Sequence, residues 1–275
     1  MIPQSHSKNH KLNARLGAIL SQVSLGGTVS VSNLAAALQV SEETIRRDAR
    51  VLVARGDVLK LHGSLTMPYK LAEAPFDRRM RENAEAKRAI ARRAVQLVED
   101  GDTLVVDTGT TTSLFAQELR SRRGLTVVTN SSDIARTLAT VNGNRVYMAG
   151  GELKADNGAA FGPSAVEFIS RFKVRHAFLS IAALHHEHGP MNAALEEADI
   201  SHIAMNRADR LTILTDSSKF GKTALVRICD LRDIDNIVCE SAPDGDLRAA
   251  LAEAEVTVLT ATDRPSAYEG FTVSV

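Results

Sequence analysis

The chain has 275 residues, 44% hydrophobic and 24% charged, with two cysteines and a formal net charge of zero. This composition excludes a disordered polymer and a disulfide-built secreted scaffold, and the length suits two domains better than one. No run approaches the roughly 18 apolar residues of a membrane span, and the polar start "MIPQSHSKNH" is no signal peptide, so a cytoplasmic protein with reduced Cys229 and Cys239 is expected.

The zero net charge hides an asymmetry. Residues 1–70 hold nine Lys/Arg and four Asp/Glu, net +5, and the remainder holds 24 and 29, net −5. A basic head on an acidic body places a polyanionic partner at the head. In chain order, residues 11–24 carry Leu12, Leu16, Ile19, Leu20 and Val23 at helical spacing, and Gly26-Gly27 stops them. A short extended "TVSVS" follows. Ser32 then opens a helix over 33–39, and Gln39-Val40 make a tight turn with Gln39 in the left-handed region. Ser41 caps a third helix reaching Arg55-Gly56, and the alternation in "DVLKLHGSLTM" suits a β-hairpin. Three helices and a hairpin outline a winged helix-turn-helix over residues 1–65.

Residues 66–83, with two prolines and mixed charge, read as a linker, and a helix is expected over 84–99. Beyond it, β-branched runs at 103–107, 125–129, 145–149, 176–180, 211–215, 236–240 and 256–260 alternate with helical stretches near 112–121, 131–140, 164–171, 193–208 and 246–253. That alternation predicts an α/β fold over 84–275, a mostly parallel sheet covered on both faces. The final "ATDRPSAYEGFTVSV" is either a tail or a strand at a subunit contact.

In the third helix Ile45, Ala49, Leu52 and Val53 form the expected buried stripe. Glu43, Arg46, Arg47 and Arg50 lie on the opposite face, in the half of the helix that enters a DNA major groove in helix-turn-helix proteins. Acids are favoured at a helix N-terminus, so the arginines need another reason. Thr44, Arg46 and Arg47 are groove candidates, with Ser41 and Arg50 beside them; Lys60 and His62 in the wing are candidate phosphate or minor-groove contacts. The alternative is a solvated face laced by Glu43–Arg46 and Glu43–Arg47 pairs. The helix spacing, the Ser41 cap, the hairpin and the local charge together favour DNA.

In the body, three strand ends are unusually polar: "DTGTTT" at 107–112, "TNSS" at 129–132 and "DSSKFG" at 216–221. Ligands of parallel sheets bind beyond such carboxyl ends. Gly109 admits an anion to the backbone, Thr110, Thr111 and Thr112 offer hydroxyls and N–H groups at a helix start, and Lys219 adds positive charge. The set suits a sugar phosphate, although each loop alone would also serve as an ordinary helix cap. His185, His186 and His188, with only Glu187 beside them, read as a solvated loop rather than a metal site. No metal or cofactor is expected.

The stretch "GGTVSVSNLAAALQVSEETIRRDARVLVARGDVLKLHGSL" resembles the DNA-binding signature of the DeoR family of bacterial transcriptional repressors. The resemblance continues through "APFDRR", "AKRAIARRAVQLVEDGDTLVVDTGTTT", "VVTNSSDIA", "AGGEL", "EEADI" and "TDSSKFG". It implies an effector domain similar to ribose-5-phosphate isomerase, sensing a phosphorylated sugar or polyol and releasing operator DNA, in a homodimer or homotetramer. It carries over Asp107, Gly109, Thr110, Thr111, Thr112, Asn130, Ser131, Gly151, Glu197 and Lys219 as pocket residues. The chain departs from the family at Ala49, where Leu is usual, at "HGSL" in place of "HGGA", and after "HAFLS", where Ser180 and "AALHHEHGPM" replace glycines. An isomerase-like enzyme carrying a DNA-binding head is the alternative reading; its pocket Asp, Glu and Lys could support acid–base chemistry.

Overall fold

Residues 15–20, 22–23, 28–54, 58–61, 63–66 and 74–262 are described by the structure, a computed structural model, which divides into two units, Met1–Lys70 and Leu71–Val275. Gly26-Gly27, His62 and residues 263–275 lie outside the described residues, and so do the expectations that fall on them.

In the first unit residues 15–20 and 22–23 are helical (α1), followed by β1 (Thr28–Ser30), α2 (Val31–Leu38), α3 (Glu42–Ala54), β2 (Leu59–Leu61) and β3 (Ser64–Thr66). The expected hairpin gains a third strand: the antiparallel order is β1-β3-β2. Ser30, not Ser32, caps α2, its hydroxyl accepting the Asn33 N–H at 3.1 Å. The helix starts early because Val31, Leu34 and Ala35 fall on one buried stripe. Gln39 closes α2 at φ 52 in the left-handed region, and the Ser41 hydroxyl accepts the Thr44 N–H at 3.3 Å to start α3.

Leu16, Ile19, Leu34, Ile45, Ala49, Leu52, Val58 and Leu65 are buried together as the core of this unit. Val53, expected inside, is 39% exposed. It lies about 80° around the helix from Ile45 at about 100° per residue, at the margin of the stripe. Asp48 takes the inner place at 1% exposure, and Arg15 of α1 binds both its oxygens through Nε and through Nη2, the latter at 3.1 Å. Removing the arginine strands a carboxylate among apolar side chains. Arg15→Leu is therefore expected to destabilise this unit by about 3 kcal/mol, read as faster hydrogen exchange at α3 amides; exchange unchanged in the variant would show that the pair contributes nothing.

The second unit begins inside the stretch expected to be a linker. Phe76–Arg81 is a helix (α4), because Met80 packs on the body and the Phe76 N–H reaches the Asp156 carboxylate at 3.0 Å. Then follow α5 (Ala84–Ala94), β4 (Thr103–Val106), α6 (Thr110–Leu119), β5 (Thr126–Thr129), α7 (Ser132–Leu138), β6 (Arg145–Met148), α8 (Pro163–Ser170) and β7 (Val174–Ser180). The remainder is β8 (Ala183–His185), β9 (Gly189–Asn192), α9 (Leu195–Asn206), β10 (Ala208–Leu214), β11 (Val226–Arg227), β12 (Asn236–Cys239), α10 (Gly245–Glu253) and β13 (Thr257–Thr260).

Seven strands form one parallel sheet in the order β13-β12-β10-β7-β4-β5-β6. Alternate side chains feed two cores. Leu104, Val106, Val127, Phe178 and Leu214 meet Ile90, Phe115 and Ile134 from α5, α6 and α7 on one face. Val105, Val128, Ala177, Leu179 and Ile213 meet Ile169, Ile200 and Leu251 from α8, α9 and α10 on the other. The period-2 alternation of strand side chains makes this division. A small antiparallel sheet, β11-β9-β8, had no counterpart in the expected elements.

Candidate DNA interface and effector cleft

On α3 the side chains of Arg46, Arg47 and Arg50 are exposed and Thr44 is half-buried. Arg46 bonds Glu42 at 2.7 Å and lies 3.8 Å from Glu43, so the acids of the first turn hold this arginine along the helix surface. Arg47 and Arg50 make no ion pair among the described residues. The Thr44 hydroxyl lies 2.9 Å from that of Ser41, so both belong to the helix cap. Lys60 is exposed on β2. The arrangement presents two unengaged guanidinium groups one helical turn apart, on a helix fixed from behind by its apolar stripe.

In the second unit the chain winds one way from β4 to β6 and the other way from β7 to β13. The reversal falls between β4 and β7. Segments leaving those strands pass to opposite faces, to α6 on one and α9 on the other, and this opens a crevice at the carboxyl edge.

Asp107, buried just after β4, bridges the reversal. Its two carboxylate oxygens accept the backbone N–H of Ser180, the last residue of β7, at 3.1 Å each. Burial pushes the Asp107 carboxyl well above the usual carboxylate range; the Ser180 N–H and the Thr112 hydroxyl oppose this, and the charge of Glu197 adds to it. Gly109 is extended at φ 179, and its lack of a side chain answers to space: a Cβ there would lie 1.8 Å from Ser180 Oγ. Thr110, Thr111, Thr112 and Ser113 are buried in the first turn of α6, where Thr112 Oγ1 donates to Gly109 O at 3.1 Å.

After β5, Asn130 Nδ2 donates to Ala160 O at 3.0 Å, and Ser131 Oγ accepts the Ile134 N–H at 3.3 Å as the cap of α7. Ser131 thus has its hydroxyl engaged in the helix. Gly151 stands beyond the edge strand β6 at φ 143, with Ser164 and Ala160 as neighbours. Glu197 is half-buried in the first turn of α9, while Glu196 is tied to Lys154, which lowers its pKa. Lys219 ends a short 3-10 helix (Ser217–Lys219) after β10, whose Leu214 is in register with Ser180. The carboxyl ends of four adjacent strands, β10, β7, β4 and β5, therefore carry Lys219, Ser180, Asp107 and Asn130. Thr108 Oγ1, Ser113 Oγ and Asn130 Oδ1 are buried along this edge with no hydrogen-bond partner. Buried polar atoms are ordinarily paired, so the edge has hydrogen-bonding capacity to offer a polar ligand.

Two residues of the edge escaped the sequence reading. Asn83 Nδ2 donates to Asp216 Oδ1 at 3.0 Å and to Ser218 Oγ at 3.1 Å, joining the α4–α5 corner to the Lys219 segment. Lys87 is buried on α5 and donates to Arg79 O. Burial lowers its pKa; Asp216 opposes this, and the nearby charges of Lys219 and Arg79 reinforce it. A lysine at i in the stripe Lys87, Ile90, Ala91, Ala94 was the available signal, since an apolar helix face rarely accepts a charge without a use for it.

A winged helix-turn-helix joined to a parallel α/β unit with a polar cleft at its strand reversal is the architecture of a ligand-sensing transcription factor. The DeoR-like helix-turn-helix domain model matches residues 15–70, and the DeoR C terminal sensor domain model matches residues 82–241. This chain belongs to the DeoR family of DNA-binding transcriptional regulators.

Among its relatives, a glycerol-3-phosphate regulon repressor of Escherichia coli is 28% identical over 243 residues, 88% of this chain and 96% of that one. The regulator GlpR of Haloferax volcanii is 32% identical, covering 86% and 92%, and the regulator IolR of Bacillus subtilis is 30% identical, covering 73% and 80%. A ribose 5-phosphate isomerase A structure from Methanocaldococcus jannaschii aligns with a TM-score of 0.39 at 19% identity, covering 50% and 55%. Among the described residues no helix is long and apolar enough to cross a membrane.

The Asp107 environment makes a pH prediction. A carboxyl whose folded pKa is raised holds its proton in the folded state over a range where the unfolded chain has lost it, so stability falls as pH climbs from the ordinary carboxylate range through the raised value. Asp107→Asn keeps an acceptor for the Ser180 N–H and removes the charge. Its denaturation midpoint is expected to exceed that of the wild type at neutral pH and to converge with it near the ordinary aspartate pKa; a lower midpoint at neutral pH would mean that the ionised form is the one the site holds.

Proposed function

We propose that this regulator is a sequence-specific repressor of a sugar or polyol operon, released from its operator by a phosphorylated sugar or polyol. Residues 1–65 would bind DNA and residues 84–275 the effector. Arg47 and Arg50 are the leading groove contacts, with Arg46, Thr44 and Ser41 beside them and Lys60 and His62 on the wing. The observation that carries the effector reading is the meeting of Asp107, the threonines of α6, Asn130 and Lys219 at the strand reversal. Asp107, Glu197 and Asn130 suit sugar hydroxyls; Lys219 and the start of α6 suit a phosphate. Gly109, Ser131 and Gly151 supply backbone room, and Ser180 narrows the wall. The E. coli relative is named for the glycerol-3-phosphate regulon, which makes glycerol 3-phosphate the first compound to test. A symmetric dimer or tetramer would match paired half-sites.

Release requires the effector to prefer the state that binds DNA poorly. The α4–α5 corner is the proposed lever. Asn83 bonds it to the Lys219 segment, Lys87 ties α5 to α4 within it, and α4 stands in sequence between the head and the sheet. A sensor of this kind binds without turnover, whereas the isomerase alternative converts its ligand.

Two substitutions separate the parts. Arg47→Ala should lose about 1–3 kcal/mol at the operator and less on scrambled DNA, measured by fluorescence anisotropy at fixed salt. Equal loss on both sequences would make Arg47 a phosphate contact only. Lys219→Ala should bind operator like the wild type yet stay bound when phosphorylated sugars and polyols are added. A variant still released at the wild-type concentration would remove Lys219 from the cleft.

A further inference from the structure

The base of the β8–β9 hairpin borders the 216–221 segment, but the side chains of its tip, His185, His186, Glu187 and His188, belong to neither proposed site, and all four are of metal-binding type. From sequence alone these residues read as a solvated loop, since a metal site needs ligands on a defined element. The structure supplies that element. His185 pairs with Gly189 across the hairpin, leaving a three-residue turn. The base is pinned. Leu184 is fully buried and its carbonyl accepts the Gly221 N–H at 2.9 Å. Gly189 sits at φ 68, where a Cβ would lie 2.5 Å from Cys229 O.

On that base the rings gather. The His185 ring stacks on His186 at 4.3 Å between centroids and on His188 at 4.8 Å. One ligand atom each from His185, Glu187 and His188 lies within 4.8 Å of the other two. We propose that His185, Glu187 and His188 form a surface site for one divalent transition-metal ion of the zinc type, a metal site separate from the effector cleft.

The chemistry of the donors selects the ion. Two imidazoles and one carboxylate suit zinc, nickel or cobalt, whereas magnesium and calcium take oxygen ligands. Three protein ligands leave a fourth position for water, and tetrahedral bonds of about 2.0–2.1 Å set ligand atoms roughly 3.4 Å apart. The remaining closure falls to exposed side-chain torsions of Glu187 and His188, not to the backbone. The hydrogen bond that ligation through His185 Nδ1 displaces is a long one, from the Glu187 N–H at 3.2 Å. His186 Nε2, 4.0 Å from the Glu187 carboxylate, can orient that ligand. The fold of the hairpin rests on Leu184 and Gly189, so metal loading and folding are separable.

The test is zinc uptake by the tag-free, full-length chain near neutral pH, by calorimetry, with cobalt absorption as a second readout. One equivalent should bind in the micromolar range. His188→Ala and His185→Gln should each weaken it at least about tenfold, with unchanged melting temperature without metal, and magnesium should give no heat. Wild-type protein that takes up no zinc at sub-millimolar concentration would overturn the proposal. So would uptake that neither substitution weakens, since the ion would then sit at other histidines.

Discussion

The cleft depends on how the strand reversal between β4 and β7 is closed. Two neighbouring parallel strands whose connections leave in opposite directions necessarily open a gap at their carboxyl ends. A gap in a sheet edge exposes backbone N–H groups, and one of these, on Ser180, must be answered. It is answered by the Asp107 carboxylate, which bonds it through both oxygens. This contact sets the spacing between the α6 start and the end of β7. It also dictates glycine at 109, because Ser180 Oγ occupies the volume a side chain would need. Burial opposes the charge of this carboxyl, and groups shifted in this way cluster at functional sites.

The same edge has a route outward through groups that a static core would not need. Asn83 reaches Asp216 and Ser218, Lys87 feels Lys219 across a buried interval, and Arg79 accepts the Lys87 ammonium at its carbonyl. The Asn83 bonds join the α4–α5 corner to the Lys219 segment, the Lys87 bond holds the corner together, and charge alone relates Lys87 to Lys219. On the proposed reading, an anion bound at Lys219 would offset one of the charges that lower the Lys87 pKa. Coupling of this sort needs no long chain of shifted residues, only an element whose packing is conditional on charge.

The parallel sheet was legible because buried parallel strands read as short β-branched runs, and each expected run from "TLVVD" to "VTVLT" became a strand within a few residues. The ends were less legible. Ser30 and Ser32 are both competent caps, and only the burial of Val31 decides between them. Asp48 has no place in the sequence pattern, because a charge on the inner margin of an amphipathic helix is invisible until its partner, 33 residues earlier, is seen beside it. The β8–β9–β11 sheet escaped because its strands are two to four residues long and carry Gly and Pro. In the cleft, the loops at strand ends could be named from composition. Asn83 and Lys87 could not, since their roles arise from pairings that only the folded chain shows.

Charge also distinguishes the arginines of the head. Acids at a helix N-terminus are stabilised by the dipole whatever else they do, and here Glu42 and Glu43 also engage Arg46. That engagement leaves Arg47 and Arg50 as the cationic groups on the face, so the acids sort the arginines as well as starting the helix. On the proposed reading, a phosphate approaching Arg46 would compete with Glu42 and more weakly with Glu43, whereas Arg47 has no ion pair among the described residues. The net −5 of residues 71–275 works in the same direction. At net −5 that unit on balance repels a polyanion, whereas the net +5 of residues 1–70 attracts one.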